Sequence, residues 1–377
     1  MTRVLHVIDH LGLGGAQSAL LDLVRHLDPS RFSCEVATLH GRGPFADALA
    51  REGFRVHSLS KHRWPPGYLA RLPRSLTGWP IIHFHLQAAN WLAKSFAALE
   101  TDAIRIAHDH ASGDLRFRGF SSLLPDALGH LGSHRVLAVS PSVREFLIRW
   151  EAVPADRIRL VPNGVDTEKF RPPDPSVRQR ARARLGVAPE DFVIGAIGRL
   201  APEKNFAIIP RIAARLPGVR FLLAGEGPCE AEIRSVLEAE RVGHAVQLVG
   251  RVDHREEFFS ALDALLLPSL YEGLPMVLIE AMATGLPCVA SALPDVAAAL
   301  EDSCKDLLCP PTDTEAFVAA IERLLHDPVA ATQQGVRARA RCQRDFSATA
   351  CAAQVAQVYD EELALRDGRE FAKLSPI

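Results

Sequence analysis

The chain has 377 residues, 48% apolar and 23% charged, with a formal net charge of −2. That length is too great for one ordinary core and points to two domains, while the balanced charge excludes a nucleic-acid partner of the basic-patch kind. The seven cysteines are odd in number and contain no C-x-x-C pair, so neither a disulfide scaffold nor a zinc-ribbon site is expected and a reducing cytoplasm fits best.

The first elements follow in chain order. "RVLHVID" reads as a strand, "LGLGGAQ" as its turn and "SALLDLVRHL" as an amphipathic helix. "CEVATLH" is followed by "FADALAREG", and "RVLAVS" by "PSVREFLIRW". Strands alternating with helices in this way predict a parallel α/β sheet. The N-terminus is neither a signal peptide nor a membrane span, because Asp9 and glycines break its short apolar run.

Net charge is +5 through Val165 and −7 from Asp166. Residues 53–99 hold no acid but carry Arg55, Lys61, Arg63, Arg71, Arg74 and Lys94, together with Trp64, Trp79 and Trp91. Basic residues interleaved with tryptophan predict a contact with an anionic membrane; the competing reading is a solvated face over core tryptophans.

Residues 162–184, rich in proline and charge, interrupt the pattern and have the composition of a linker. Alternation restarts with "DFVIGAIGRL", "VRFLLAGEG", "AVQLVG", "ALLLPS" and "PCVAS", and an alanine-rich tail from Ser347 reads as a closing helix. The organisation expected is a domain over 1–168, a linker over 169–190, a second domain over 191–346 and a terminal helix over 347–377. Ligands in open α/β sheets lie beyond the carboxyl ends of the strands, so two such domains would hold substrates between them.

Four constellations carry chemistry. In "SLYEGLPMVLIEAMATGLPCVA", Glu272 falls on the loop after a buried strand, and Glu280 falls within the following helix, which Pro275 can open. Apolar neighbours make Glu280 a poor site for an unpaired carboxylate, and sugar or ribose hydroxyls would supply the missing donors. In "GAIGRLAPEKNF" a glycine turn precedes Arg199 and Lys204, a combination suited to a diphosphate. In "LGLGGAQ", Gly12, Gly14 and Gly15 give half of a dinucleotide fingerprint. Finally "IIHFH" and "RIAHDHA" place His83, His85, His108 and His110 at strand ends. These histidines read as sugar-cleft or structural residues before they read as metal ligands.

Together, "VLHVIDHLGLGGAQ", "VLAVSPSVREFL", "VPNGVDTEKF", "IGRLAPEKN", "LLAGEGP" and "PSLYEGLPMVLIEAMATGLPCVAS" resemble the retaining GT-B glycosyltransferases of family 4, in the branch that builds exopolysaccharides and other cell-surface glycans. The resemblance implies two Rossmann-like domains and transfer from a nucleotide-diphosphate sugar to a glycan, lipid-linked or small-molecule acceptor. It implies retention of configuration, no cofactor and no metal; the expected location is the cytoplasm, with the inner face of the plasma membrane where a membrane contact of residues 53–99 would place it. By the same match Glu272 lies beside the donor sugar with Gly273 and Leu274, and Glu280 binds the ribose. Arg199 and Lys204 hold the diphosphate, Gly14 and Gly15 lie close to the reacting sugar, and His110 faces it. One departure stands out: where the family has a glycine-containing loop ending in glutamate, this chain has "ALPDVAAALEDS". A nucleotide-sugar 2-epimerase of the same fold and a non-catalytic nucleotide-sugar-binding protein are the competing readings. A nicotinamide-dependent oxidoreductase lacks the acidic residue that would hold the ribose.

Overall fold

A computed structural model describes residues 1–60, 76–86, 89–90, 102–110 and 123–374. Much of the basic run over 53–99 lies outside these residues, including Lys61, Arg63, Trp64, Arg71, Arg74, Trp91 and Lys94. Trp79, which is described, packs against the apolar cluster of Leu5, Ile82 and Phe84, with the Arg3 guanidinium 4.1 Å from its ring centroid. Among the described residues no helix is long and apolar enough to cross a membrane.

The chain forms two α/β units, Met1–Gly164 with Ala348–Ile377, and Val165–Ser347. Among the described residues seven parallel strands build the first: β1 (Thr2–Ile8), β2 (Phe32–Thr38), β3 (Arg55–Ser58), β4 (Ile81–His85), β5 (Ile104–Asp109), β6 (Arg135–Ala138) and β7 (Ile158–Leu160). They lie in the order β3-β2-β1-β4-β5-β6-β7. Runs such as Val4, Leu5, Val7 and Ile8 are buried throughout, as a sheet covered on both faces requires. One face is closed by the long helix Ala348–Leu374. Its Cys351, Ala352, Val355 and Tyr359 pack on Val4, Ile81, Ile104 and Ile106 of the strands, so the expected closing helix belongs to the first unit.

The second unit has β8 (Phe192–Ile197), β9 (Val219–Ala224), β10 (Val246–Gly250), β11 (Ala264–Leu267), β12 (Cys288–Ser291) and β13 (Leu308–Cys309), in the order β10-β9-β8-β11-β12-β13. Strand order reverses between β1 and β4 in one unit and between β8 and β11 in the other. Those reversals are where open α/β sheets leave room for a ligand.

The stretch expected as a linker carries the helix Pro175–Arg184 and belongs to the second unit. Its arginines explain the difference. Arg178 and Arg182 both reach the Asp263 carboxylate, at 2.5 and 2.6 Å, and buried Arg182 also donates to the carbonyls of Ala261, Pro189 and Asp191. Guanidinium groups that read as solvated in the sequence are anchors in the fold.

Candidate active site

The second unit's reversal point is built from two loops that grip one another. The first leaves β8 through Gly198 and Arg199 and ends in the short turn Pro202–Lys204. Gly225 and Gly227, in the loop after β9, let this segment pass. A side chain at Gly225 would stand 1.8 Å from the Gly198 carbonyl oxygen, and one at Gly227 would stand 2.3 Å from that of Leu200. Gly225 also has φ 140°, a conformation that favours glycine. Backbone bonds from Leu200 N to the Glu226 carbonyl and from Cys229 N to the Leu200 carbonyl hold the two loops together. The sequence shows the glycines of "LLAGEGP"; the backbone they accommodate is visible only in the fold.

The second loop leaves β11 and carries Ser269, Glu272, Gly273 and Leu274. Asn205, in the left-handed conformation at φ 54°, donates to the Pro268 carbonyl at 3.2 Å and the Pro311 carbonyl at 3.0 Å. Leu270 N donates to the Glu203 carbonyl at 2.8 Å. Across this seam the Lys204 ammonium meets Glu272 Oε1 at 2.5 Å, and the Ser269 hydroxyl donates to the same oxygen at 2.7 Å. Glu272 and Lys204 thus come together, while Arg199 is exposed. Gly273 and Leu274 are buried in the loop.

Glu280 is fully buried in the helix Met276–Thr284, with Pro275 one position earlier than expected, as the N-cap. The carboxylate is not unpaired: Arg255 Nη1 stands 2.9 Å from Glu280 Oε1. An arginine opening a separate helix, Arg255–Ser260, supplies the positive charge. Sequence reading missed it because nothing local links the two.

The altered segment after β12 forms the helix Pro294–Leu300. Asp295 in its first turn is buried, so an acid does stand beyond the end of β12, in a segment that the sequence marked only by its missing glycine.

In the first unit, residues 9–14 turn from β1 into the helix Gly15–His26, with Gly14 as an extended N-cap lacking a side-chain cap. Gly12 N donates to His10 Nδ1 at 3.0 Å. His110 is half-buried beyond β5. Its Nδ1 lies 2.9 Å from Asn163 Oδ1 and its Nε2 lies 3.3 Å from His85 Nδ1, so both ring nitrogens are engaged. Burial lowers its pKa to about 4, opposed in part by the Asn163 bond; the ring is neutral at neutral pH. Asn163 belongs to "VPNGVDTEKF", a motif whose chemical role the sequence left unassigned. His83 and His85 are buried on β4, and His6, which sequence reading passed over, stands beside them.

With this geometry in view, two family models cover most of both units. The one described as Glycosyltransferase Family 4 matches residues 13–169, and the one described as glycosyl transferases group 1 matches residues 191–327. The chain belongs to the family 4 glycosyltransferases of the GT-B fold.

Among this glycosyltransferase's relatives is EpsF of Bacillus subtilis, described as a glycosyltransferase. It is 29% identical over 304 residues, which make up 77% of this chain and 79% of that protein. The D-inositol 3-phosphate glycosyltransferase of Mycobacterium marinum is 31% identical over 283 residues, or 72% of this chain. The match spans 55% of the mycobacterial protein's own length. Among solved structures, Anabaena HepE in complex with UDP and glucose superposes with a TM-score of 0.87 at 20% identity, covering 96% of this chain and 100% of that one. Sucrose-phosphate synthase of Thermosynechococcus elongatus gives 0.80 at 23% identity, covering 97% and 100%.

Proposed function

We propose that this glycosyltransferase moves a sugar from a nucleotide-diphosphate sugar to a hydroxyl of a glycan, lipid-linked or small-molecule acceptor, with retention of anomeric configuration. The observation that carries the reading is the Lys204–Glu272 pair, with exposed Arg199, on two interlocked loops at the β8/β11 reversal. Breaking a sugar–phosphate bond leaves negative charge on the diphosphate and positive charge at the anomeric carbon. Fixed cations aimed at the first and a carboxylate near the second stabilise that transition state.

In this reading Arg199 and Lys204 take the diphosphate, and the phosphate competes with Glu272 for the ammonium. Glu272, with Gly273 and Leu274, then reads the sugar hydroxyls, and Glu280 accepts from the ribose. His110, Gly14 and Gly15 are assigned to the reacting sugar; for His110 this requires exchanging one of its two present ring contacts. The two cations supply positive charge at the phosphate without a metal, so transfer is expected to persist in excess chelator. HepE is described with UDP-glucose, which makes UDP-glucose the first donor to try. Contact of residues 53–99 with an anionic membrane rests on composition alone and calls for vesicle flotation at low and high salt.

The test is a thermal-shift screen of nucleotide sugars followed by transfer assays with the donor that binds. A donor raising the midpoint, lost in Arg199→Ala and Glu280→Gln, supports the site, and product NMR then reads the anomer. Conversion of the donor without any acceptor would favour the epimerase. Binding with neither reaction would favour the non-catalytic reading, and absence of any binding nucleotide would remove the donor site.

A further inference from the structure

The sheet of the first unit gathers five histidines where its strand order reverses: His6 on β1, His83 and His85 on β4, His108 on β5 and His110 just beyond it. Register sets His6 beside His83, and His85 beside His108. Alternate residues of a strand share a face, so the His83 and His85 rings stack with centroids 4.2 Å apart. The His6 ring is 5.2 Å from His83 and 5.4 Å from His85.

The polar contacts of this group do not close. His6 Nδ1 lies 3.1 Å from His85 Nε2, and His85 continues to His110 and Asn163. His83 Nδ1 meets the Tyr359 hydroxyl at 2.7 Å. Among the described residues, His6 Nε2 and His83 Nε2 have no hydrogen-bond partner, on side chains that are fully buried. A chain of hydrogen bonds explains the first set of contacts and offers nothing to these two nitrogens. Orphaned polar atoms in a dry interior are uncommon and call for a cause.

Buried neutral imidazoles present lone pairs to one another, and a cation that prefers nitrogen can use several at once. We propose that His6, His83 and His85 bind one transition metal ion of the zinc class. One nitrogen from each of the three lies within 4.8 Å of those of the other two. Tetrahedral coordination with metal–nitrogen bonds of about 2.0–2.1 Å places ligand nitrogens roughly 3.3 Å apart. The His6 Nδ1–His85 Nε2 pair already stands near that separation, and His83, whose Nδ1 is held by Tyr359, offers its orphaned Nε2 as the third donor; the ion thus accounts for the orphan on His83, not for that on His6. Tyr359, bonded to the far nitrogen of His83, is the kind of outer partner that orients a metal-bound imidazole. Nitrogen donors without an oxygen ligand select zinc, nickel or copper over magnesium or calcium. The ion would join β1 to β4 and, through Tyr359, to the helix Ala348–Leu374. No step of sugar transfer runs through it, and the inference does not depend on the proposed reaction.

The experiment uses the full chain with no polyhistidine tag. It is dialysed against zinc and then against buffer, with metal content measured by elemental analysis and a parallel sample loaded with cobalt for visible spectroscopy. About one ion per chain and a tetrahedral cobalt band are expected. His83→Leu and His6→Leu, each checked for folding by circular dichroism, are expected to lower affinity at least about 100-fold, and Tyr359→Phe about 10-fold. Lys204→Ala is expected to retain the ion. Should the ligand variants fail to fold, the wild-type cobalt spectrum and the Tyr359→Phe affinity decide. A wild-type protein that binds no ion and gives no tetrahedral band overturns the proposal. So does binding unchanged by all three substitutions, because other histidines would then hold the ion.

Discussion

Glu280 shows how far a single residue can be read before its neighbours are known. The sequence marks it as a carboxylate in apolar company, and it is buried as that company requires. Its partner is Arg255, 25 positions earlier, and no local period joins the two. Removing one member of such a pair leaves an uncompensated charge. Arg255→Met is therefore expected to destabilise the protein by about 3 kcal/mol, with most of the loss recovered in Arg255→Met combined with Glu280→Gln. Chemical denaturation of the two variants checks this. At the surface, the Arg199 side chain makes no hydrogen bond or ion pair among the described residues, so Arg199→Ala is expected to leave the thermal midpoint within about 1 °C. The same change is expected to lower kcat/KM about 100- to 1,000-fold. A large fall in midpoint would make Arg199 a structural residue instead. The thiols give a prediction with a sign in pH. Burial pushes Cys309, Cys342 and Cys351 up to about 12, so these groups stay protonated, and unreactive, at pH 8. Alkylation followed by mass spectrometry should modify them only after denaturation.

At the scale of elements, strands longer than about four residues were legible because continuous apolar runs between turn signals can be little else. β7, with 3 residues, and β13, with 2, are too short to carry a pattern. The helix Pro175–Arg184 was hidden by its arginines, whose anchoring acid, Asp263, lies in a different element. Loops were legible as glycine-rich and illegible as geometry. The Arg199 segment can be where it is only because Gly225 and Gly227 have no side chains. Gly225→Ala adds a clash with backbone and an unfavourable φ, and is expected to cost about 2 kcal/mol or more while displacing Arg199. Denaturation midpoints and donor affinity would both fall; a neutral result would mean that the two loops are free to separate. Gly335 makes a similar demand, since a side chain there would stand 2.1 Å from the Gly285 carbonyl oxygen. That contact seats the helix Pro328–Asp345 against the end of Met276–Thr284.

For the whole molecule, the two-unit plan was legible from the break and restart of α/β alternation. Which unit the tail completes was not, because an alanine-rich helix fits many apolar faces. Val165–Ser347 is continuous in sequence, whereas the first unit needs residues from both ends of the chain. A fragment spanning 165–347 is accordingly expected to fold alone and to show a thermal shift with the nucleoside diphosphate part of the donor, smaller than that of the full protein with the whole donor. Truncation after Ser347 is expected to uncover Val4, Ile81, Ile104 and Ile106 and to unfold the first unit. Calorimetry of the two fragments against the full chain checks both statements.

The same discontinuity bears on synthesis. A ribosome adds roughly 5–20 residues per second, so the seven-strand sheet emerges well before the helix Ala348–Leu374 that covers one of its faces. For roughly 10–40 s at that rate, a nascent chain carries an unsealed apolar layer while the entire second unit is made and can fold. That interval is when a trigger-factor-like holdase would have its target, and a ribosome stalled between the units would display this layer rather than a finished domain.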